Sequence, residues 1–284
     1  MVKVGIITNL SKDNEGKCTK KVLQGIIKRN MQPLVTSSVY NLFETGTLLG
    51  EKELYQLSDL ILVLGGDGTI LHASGKAAAY GKPLVGINLG RLGFLAEAEM
   101  SDCDMILDAL QSGSYYIEKR MMLEARLYRE KEPVRVFQAL NDVAVAKGSF
   151  ARIIHLNLKI NGEFVNNYAA DGLLISSPTG STAYSLSAGG PIIYPGMECL
   201  LMTPICPHTL TSRPIVTDAS SIIEVEVVDK NRDIQVTIDG QQAVDLTEGD
   251  RIIISKSALQ TQLIRFSGYG FFNLLRSKLS ARKM

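Results

Sequence analysis

The chain has 284 residues, of which 45% are hydrophobic and 21% are charged, and its mean hydropathy is +0.10. This composition supports one large or two ordinary folded domains and excludes a disordered chain. The formal charge of +1 argues against a nucleic-acid-binding role, because such proteins usually carry a basic excess on one face or tail.

The cysteines, the histidines and the beginning of the chain bear on metals and compartment. Four cysteines and three histidines are scattered without a C-x-x-C pair, so a structural zinc site is not expected. A first strand is predicted from Val2 with no basic and apolar leader before it, and no apolar run approaches the length that spans a bilayer. We therefore expect a cytoplasmic protein with reduced thiols and with neither membrane nor nucleic-acid partners.

The first part of the chain has the pattern of an α/β domain. Up to about residue 115, apolar strand-like runs alternate with helix-like segments, which is typical of a Rossmann-like open parallel sheet covered by helices. The predicted strands are residues 2–7, 34–39, 59–64 and 83–88, and a helix is predicted over 102–110. Ligands of such sheets bind beyond the carboxyl ends of the strands, so the segments that follow the strands are the expected place of a site.

One of these segments is rich in glycine. The strand predicted over 59–64 runs directly into Gly-Gly-Asp-Gly-Thr at residues 65–69. Three glycines around one carboxylate leave backbone amides accessible to phosphate oxygens, and the apolar residues that follow predict a helix whose N-terminus points at the same place. Thr69 is the predicted N-cap of this helix. The alternative interpretation is an ordinary strand-to-helix turn with an exposed aspartate.

The second part of the chain is β-rich, and we predict a sandwich-like domain of largely antiparallel strands there. Asn161-Gly162 and Asp239-Gly240 lie between strand-like runs and are typical of tight hairpin turns. The predicted strands are residues 120–129, 134–147, 153–160, 164–176, 221–228, 233–238 and 251–255. The predicted domains are residues 1–117 and 118–267, with a helical segment over 268–284 that joins the first domain.

The β-rich part contains a polar segment of small residues at 176–191, with the sequence Ser-Ser-Pro-Thr-Gly-Ser-Thr-Ala-Tyr-Ser-Leu-Ser-Ala-Gly-Gly-Pro. Its hydroxyl groups can bind sugar or phosphate oxygens, Ala183 leaves room for a flat ring, and Tyr184 offers a stacking face. These residue types indicate a nucleoside pocket. The alternative is a connecting loop rich in serine and glycine, which is common on protein surfaces.

The motifs together resemble one family. The Gly-Gly-Asp-Gly-Thr turn alone occurs in several kinases, including phosphofructokinases and lipid kinases. Joined to Asn141-Asp142 and to Asp171-Gly172 leading into 178–185, it closely resembles the NAD kinase family, and the resemblance covers nearly the whole chain. It implies a phosphotransferase that moves the terminal phosphate of ATP, or of polyphosphate, to the 2'-hydroxyl of the adenosine ribose of NAD, giving NADP.

The resemblance also implies roles at the glycine-rich turn. Asp67 is the implied proton acceptor for the ribose 2'-hydroxyl. A divalent cation, most simply Mg²⁺, is expected to bridge the donor oxygens, so the metal belongs to the substrate. His72 falls where the family often has a basic residue that contacts phosphate, and a helix-surface histidine is an equal alternative. The implied phosphate-binding residues are Gly65, Gly66, Gly68, Thr69 and His72.

For the dinucleotide, Asn141 and Asp142 match the family's Asn-Glu pair. Asp142 retains the carboxylate of the usual glutamate but reaches one methylene less, and a turn-forming Asn-Asp is the alternative. On this resemblance domain 1–117 binds the phosphate donor and domain 118–267 binds the dinucleotide. The residues implied to bind NAD are Asp67, Gly68, His72, Asn141, Asp142, Arg152, Ala169, Asp171, Thr179, Thr182, Ala183, Tyr184, Ser185, Leu186, Ser187, Asp239 and Gln241.

Other functions stay open at this point. A lipid kinase of the diacylglycerol or sphingosine type shares the glycine-rich turn, but is expected to lack the 178–185 segment and to carry a membrane-facing surface. A phosphofructokinase needs several arginines that converge on the acceptor, and the β-rich part shows few. A non-catalytic dinucleotide sensor has no need of a base such as Asp67. The resemblance further implies a homodimer or homotetramer whose ligands are small nucleotides.

Overall fold

The computed structural model describes residues 1–90, 93–96, 98–148, 153–230, 233–266 and 270–280. The chain divides into two compact units, one of residues 1–119 with the segment from 261 onwards and one of residues 120–260. The two boundaries lie within strands, Tyr116–Arg129 and Arg251–Arg265. The ligand roles given to the domains 1–117 and 118–267 stay a prediction.

The first unit is a parallel sheet with helices between its strands. Its strands are β1 (Lys3–Thr8), β2 (Gln32–Val35), β3 (Thr47–Leu48), β4 (Leu60–Gly65), β5 (Leu84–Asn88) and β6 (Ala98–Glu99). Its first five helices are α1 (Lys17–Lys28), α2 (Ser37–Phe43), α3 (Glu51–Leu57), α4 (Asp67–Ala79) and α5 (Cys103–Ser112). The order β3-β2-β1-β4-β5 is parallel throughout, and β6 pairs in parallel with β5.

The central strands of this sheet place the predicted phosphate turn. β4 is buried along its whole length, as its unbroken apolar run predicts for an interior parallel strand. Thr8 of β1 pairs with Leu64, and Gly65 of β4 pairs with Asn88 of β5, so the three strands end at one edge of the sheet. The predicted α/β fold of this part is confirmed.

Two local predictions for this unit are wrong. The strand predicted over 34–39 ends at Val35, because extended Thr36 precedes the helix α2, which begins at Ser37. Thr69 is not the N-cap of α4. The helix begins at Asp67 with Gly66 as its N-cap, and the Thr69 amide already donates to the Gly66 carbonyl at 2.9 Å, inside the first turn.

The second unit consists of antiparallel strands in two layers around one core. Its elements are β7 (Tyr116–Arg129), β8 (Glu132–Ala139), β9 (Asp142–Lys147), β10 (Ile154–Ile160), β11 (Glu163–Ala170), β12 (Gly172–Ser176), α6 (Tyr184–Ser187), β13 (Cys199–Ile205), β14 (Ile215–Asp218), β15 (Ile223–Val227), β16 (Ile234–Ile238), β17 (Gln242–Leu246) and β18 (Arg251–Arg265). One sheet has the order β14-β13-β12-β9-β16-β17, while β11, β10, β15 and β18 form the other layer. Leu156 and Val225 from one layer share a core cluster with Val145, Leu173 and Val236 from the other, which confirms the sandwich-like prediction.

Two predicted strands are interrupted at predicted site residues. Residues 134–147 form β8 and β9 with a break at Asn141, and residues 164–176 form β11 and β12 with a break at Asp171. Three further strands, β13, β14 and β17, were not predicted. β13 contains Pro204, a residue that argues against a strand in sequence, because proline cannot donate to a ladder.

The two predicted hairpin turns are confirmed. Asn161 and Gly162 have φ of 53° and 83°, and Asp239 and Gly240 have φ of 51° and 64°. Positive φ at both central residues is the requirement of a type I′ turn, which is why Asn-Gly and Asp-Gly favour it. The second of these turns carries two of the residues that are implied to bind NAD.

The last helix of the described chain is α7 (Phe271–Ser280), which bears out the helical spacing of the C-terminal segment over these residues. The Phe271 ring lies 6.2 Å from the ring of Phe94, centroid to centroid. None of the helices in the described ranges is both long enough and apolar enough to cross a membrane. The four cysteines, Cys18, Cys103, Cys199 and Cys206, are all free thiols.

Candidate functional site

The glycine-rich turn between β4 and α4 contains glycines of two kinds. A Cβ on Gly65 would overlap the side chain of Thr69, so the start of the helix requires this glycine. Gly66 has an extended backbone (φ −118°, ψ −171°), which any residue adopts. A Cβ on Gly66 would meet Asn88 Oδ1 at 3.6 Å and Lys12 Nζ at 3.7 Å, which are ordinary contact distances. The fold therefore does not need a glycine at position 66.

Asp67 begins α4 and organises the loop that follows β5. Its Oδ2 accepts a hydrogen bond from the Phe94 amide (2.7 Å), and its Oδ1 accepts from the amides of Leu95 (3.0 Å) and Ala96 (3.3 Å). A Cβ on Gly93 would overlap this carboxylate, so the loop can wrap around Asp67 only with glycine there. The carboxylate is half-buried and is held in one orientation. A carboxylate has about four acceptor positions, so three amides leave it able to accept one more proton or hydrogen bond.

The remaining residues predicted at this turn lie around its rim. A Cβ on Gly68 would enter open space. Thr69 is half-buried, and its Oγ1 lies 3.5 Å from Asn9 Nδ2. His72 is exposed on α4. Sequence reasoning missed Asn9, which directly follows β1 at the carboxyl edge of the sheet, where ligands of such sheets bind.

In the second unit, Asp239 holds the Asn141–Asp142 segment. Its Oδ2 accepts from the Leu140 amide (2.9 Å), and its Oδ1 accepts from the amides of Asn141 (2.7 Å) and Asp142 (3.0 Å). The Asp239 amide in turn donates to the carbonyl of Asp142 at 2.9 Å. Because its carboxylate is engaged with these three amides, Asp239 shapes the segment that is implied to bind NAD.

Asp142 is a buried carboxyl group with another carboxylate nearby. Its residue is 5% exposed. Burial, and then the charge of Asp239, raise the pKa of Asp142 to about 7. Burial also raises the pKa of Asp239, although its three amide hydrogen bonds oppose that rise. Near neutral pH the Asp142 carboxyl group therefore exchanges between a form that donates a hydrogen bond and a form that only accepts.

The hydroxyl-rich loop is tied to the strands by its own serines. Ser177 Oγ donates to the carbonyl of Leu140 at 2.5 Å and accepts from the Gly180 amide at 3.2 Å. Ser185 Oγ lies 2.9 Å from Thr203 Oγ1, and both residues are fully buried. These hydroxyls are engaged within the protein. Sequence reasoning did not distinguish them from hydroxyls that are free to meet a ligand.

The same loop is brought next to Asn141. A Cβ on Gly180 would overlap the Asn141 carbonyl, and the Ser177 amide donates to that carbonyl at 2.9 Å. Thr179 is buried and its Oγ1 accepts from Nη1 of the buried Arg120 at 3.3 Å, a contact that the sequence did not predict. The structure thus joins two motifs that are separated in sequence by about 40 residues.

The rest of the loop is more open. Tyr184 is 47% exposed. Burial raises its pKa, and the nearby Cys206, Asp142 and Asp171 add to the rise. Thr182, Ala183 and Leu186 are half-buried and Ser187 is exposed. The exposed face of the loop therefore lies on the side of Tyr184, close to two predicted NAD-binding carboxylates.

The other predicted residues of this unit are more dispersed. Asp171 forms an ion pair with Lys147 at 2.7 Å, so its charge is balanced within the unit. Ala169 lies on β11, and its carbonyl accepts from the His208 amide at 2.9 Å. Gln241 is exposed on the hairpin turn. Arg152 lies outside the described residues.

These features define a class of protein before any relative is considered. A glycine-rich turn at the carboxyl edge of parallel strands and a hydroxyl-rich loop beside a buried carboxyl group are the features of a nucleotide-binding phosphotransferase. Residues 4–115 match the model of the ATP-NAD kinase N-terminal domain, and residues 140–266 match that of the ATP-NAD kinase C-terminal domain. The chain belongs to the NAD kinase family.

Individual relatives agree with this assignment. The NAD kinase of Thermoanaerobacter sp. (strain X514) is 43% identical over 284 residues, covering 99% of this chain and 100% of the relative, and that of Acetivibrio thermocellus is 39% identical over 284 residues, covering 99% and 98%. Yeast NADH kinase in complex with NADH superposes with a TM-score of 0.90 at 25% identity, covering 100% of this chain and 89% of the other. The NAD kinase of Archaeoglobus fulgidus in complex with ATP has a TM-score of 0.76 at 26% identity, covering 99% of each chain.

Proposed function

We propose that this NAD kinase transfers the terminal phosphate of MgATP, or of polyphosphate, to the 2'-hydroxyl of the adenosine ribose of NAD, giving NADP. Support comes from the A. fulgidus relative with ATP and the yeast relative with NADH. Mg²⁺ enters as part of the donor, because it binds through phosphate oxygens with only one or two carboxylates. In the described ranges no group of three or more His, Cys, Asp or Glu side chains could hold a metal ion by itself.

The donor phosphates are proposed to bind at the glycine-rich turn. The N-terminal amides of α4 point towards this turn, and the helix dipole favours negative charge there. Gly66 and Gly68 are not required by packing, and without side chains they keep the approach to these amides open. Thr69 and His72 lie on the same first turns of α4 and are proposed to contact the phosphates.

Asp67 is proposed to act as the base. The 2'-oxygen of the ribose attacks the terminal phosphorus, the bond between that phosphorus and its bridging oxygen breaks, and ADP leaves with the bond's electron pair. The proton of the hydroxyl goes to Asp67. The single observation that supports this role is the geometry of the carboxylate. Three amides of residues 94–96 hold it in place, and one acceptor position is left.

The dinucleotide is proposed to bind the second unit. Asn141 offers an amide, and Asp142 offers a carboxyl group that can accept from ribose hydroxyls or donate to an acceptor. The open face of the hydroxyl-rich loop supplies Ala183 and Tyr184. Further proposed NAD contacts, carried over from the family resemblance, are Arg152, Ala169, Asp171, Thr179, Thr182, Leu186, Ser187 and Gln241.

Compartment and assembly are proposed on the family resemblance. The protein is assigned to the cytoplasm, where NAD and ATP are available, and to a homodimer or homotetramer. Light scattering on the purified protein at several concentrations measures the oligomer directly. A monomer at all concentrations would contradict the second proposal and leave the reaction unaffected.

The test of the proposed function is Asp67→Asn. The amide is close in size but cannot take the proton, so we expect kcat to fall on the order of a hundredfold or more while the Kd for NAD stays near that of the wild type. NADP formation with Mg²⁺, ATP and NAD is read by glucose-6-phosphate dehydrogenase. The matched control is Asp59→Asn, because Asp59 is an exposed carboxylate just before the opposite end of β4.

Both variants are compared for melting temperature, because asparagine at position 67 also removes one acceptor from the amides of 94–96. Near-wild-type kcat in Asp67→Asn would remove Asp67 from the role of base. Wild-type protein that forms no NADP would overturn the proposed function itself.

A further inference from the structure

A lysine that no motif singles out lies beside the glycine-rich turn. Lys12 is in the loop between β1 and α1, and its Nζ would lie 3.7 Å from a Cβ on Gly66. The lysine is exposed, and no carboxylate in the described part of the chain forms an ion pair with it. Its positive charge is therefore not neutralised by those residues.

The loop that carries Lys12 is anchored at both ends. The Asn9 amide donates to the carbonyl of Leu64 on β4 at 2.9 Å, and the Lys12 amide donates to the carbonyl of Asn9 at 3.0 Å. These bonds attach the loop to the strand that leads into the glycine-rich turn. The position of the Lys12 backbone thus follows from the sheet edge.

The residue after Lys12 fixes the other end of the loop. Asp13 is buried, and its carboxylate accepts from the amides of Cys18 (2.9 Å) and Thr19 (2.8 Å) and from the Thr19 hydroxyl (2.6 Å). Burial alone would raise the pKa of Asp13, but these hydrogen bonds outweigh it and hold the pKa below its ordinary value. The Asp13 carboxylate, next to Lys12 in sequence, is thus engaged in hydrogen bonds at the start of α1.

Gly66 provides an independent observation on the space beside the Lys12 ammonium group. Its backbone is extended and accepts any residue, and its Cβ would make only ordinary contacts, with Asn88 Oδ1 and Lys12 Nζ. Neither strain nor packing explains a glycine here. Its absent side chain leaves a space between the ammonium group and the first turn of α4.

We propose that Lys12 binds the donor phosphates at the glycine-rich turn, with the space at Gly66 left for phosphate oxygens. The proposal rests on the proposed function, since it names a further residue for the donor of that reaction. An ammonium group is a point charge that suits phosphate oxygens, and hydrogen bonds to it are stronger than those between neutral groups. The competing interpretation is a lysine that only solvates the surface.

The test compares Lys12→Met with Lys12→Arg, Gly66→Ala and the control Lys20→Met. Methionine keeps most of the length and removes the charge. Lys20 is an exposed lysine on α1 with no role in the site. For Lys12→Met we expect kcat/KM for MgATP to fall about tenfold or more, the range for a lost hydrogen bond to a charged group, while the Kd for NAD changes less than about twofold. Arginine should restore a large part of the loss.

Gly66→Ala gives a second measurement. The methyl group should leave the melting temperature unchanged or slightly raised, because alanine fits this backbone. It should nevertheless lower kcat/KM for MgATP, because it occupies the space beside the ammonium. Equal values of kcat/KM for MgATP in Lys12→Met and Lys20→Met, or a loss of less than about tenfold in Lys12→Met, would overturn the proposal.

A binding experiment separates this proposal from the proposed function. The Kd of MgATP and that of inorganic tripolyphosphate are measured by calorimetry on the wild type and on Lys12→Met, without turnover. Weaker binding of both ligands in the variant supports Lys12 whether or not NADP forms. Unchanged Kd values overturn it, even if the wild type proves to be fully active.

Discussion

Replacing Asp239 by asparagine is the substitution that most directly tests how the second unit is organised. In the wild type, one oxygen of Asp239 accepts from the Leu140 amide at 2.9 Å, and the other accepts from the amides of Asn141 and Asp142 at 2.7 and 3.0 Å. Asparagine has one acceptor oxygen. Its best orientation keeps the last two bonds and turns an NH₂ group towards the Leu140 amide.

The loss of stability expected in Asp239→Asn follows from these contacts. One buried amide that loses its acceptor costs about 1–3 kcal/mol, and the two bonds that remain lose their charge assistance. We therefore expect Asp239→Asn to lower the free energy of unfolding by at least about 1–3 kcal/mol at pH 5.5. We also expect weaker NAD binding, because Asn141 and Asp142 lose the group that holds their backbone.

The loss of stability caused by Asp239→Asn should depend on pH, and it should decrease as the pH rises. The pKa of Asp142 is raised to about 7, first by burial and then by Asp239. Between its ordinary pKa of 3.8 and about 7 the folded protein retains a proton that the unfolded chain releases, so wild-type stability falls there by up to about 1.4 kcal/mol per pH unit. Removing the Asp239 charge lowers the pKa of Asp142. The fall in the stability of the variant therefore ends at a lower pH than the fall in the wild type.

The difference in unfolding free energy between wild type and Asp239→Asn should therefore shrink from pH 5.5 to pH 8.5. Urea denaturation at several pH values measures it, with Asp245→Asn as the control. Asp245 is an exposed carboxylate of the same hairpin that accepts from the Gln235 side chain at 2.8 Å. A cost that is independent of pH, or equal to that of Asp245→Asn, would refute the coupling between Asp239 and Asp142.

Two further predictions concern the hydroxyl-rich loop. Ala183→Trp fills the space beside Ala183 that we propose for a flat ring of NAD, so NAD affinity measured by calorimetry should be lost while the melting temperature changes little; unchanged affinity contradicts this proposal. Ser185→Ala leaves the buried Thr203 hydroxyl without its partner, so the unfolding free energy should fall by about 1–3 kcal/mol while the Kd for NAD stays within about twofold. If the Ser185 hydroxyl instead contacts NAD, the variant will bind NAD weakly and keep its stability.

The sequence predicted the two folds and the glycine-rich turn because these depend on local patterns. The apolar run of β4 indicates an interior strand wherever it occurs, and Asp-Gly at 239–240 indicates a type I′ turn by its backbone preference. What it could not predict is the partner of each polar group. The carboxylate of Asp239 meets an amide 99 residues away in sequence, and no periodicity encodes such a contact.

The same limit explains why the sequence did not separate a buried serine from an exposed one and did not single out Lys12. Ser185 and Ser187 belong to one polar run, yet the first is fully buried against Thr203 and the second is exposed. Residue chemistry is identical in the two positions, and only the packing of α6 separates them. Lys12 lacks a motif altogether, and its relation to Gly66 arises from the parallel pairing of β1 with β4.

Asp67 and Asp239 use the same arrangement, one in each unit. Each carboxylate accepts from three successive amides, 94–96 for Asp67 and 140–142 for Asp239, with one oxygen taking two of them. An asparagine at either position therefore removes one acceptor from an equivalent set of bonds, and the two variants should lose similar stability at high pH. Loss of loop structure alone would then lower kcat by similar factors. A much larger loss of kcat in Asp67→Asn than in Asp239→Asn, with NAD saturating in both assays, would therefore support the proposed role of Asp67 as the proton acceptor, and similar losses would contradict it.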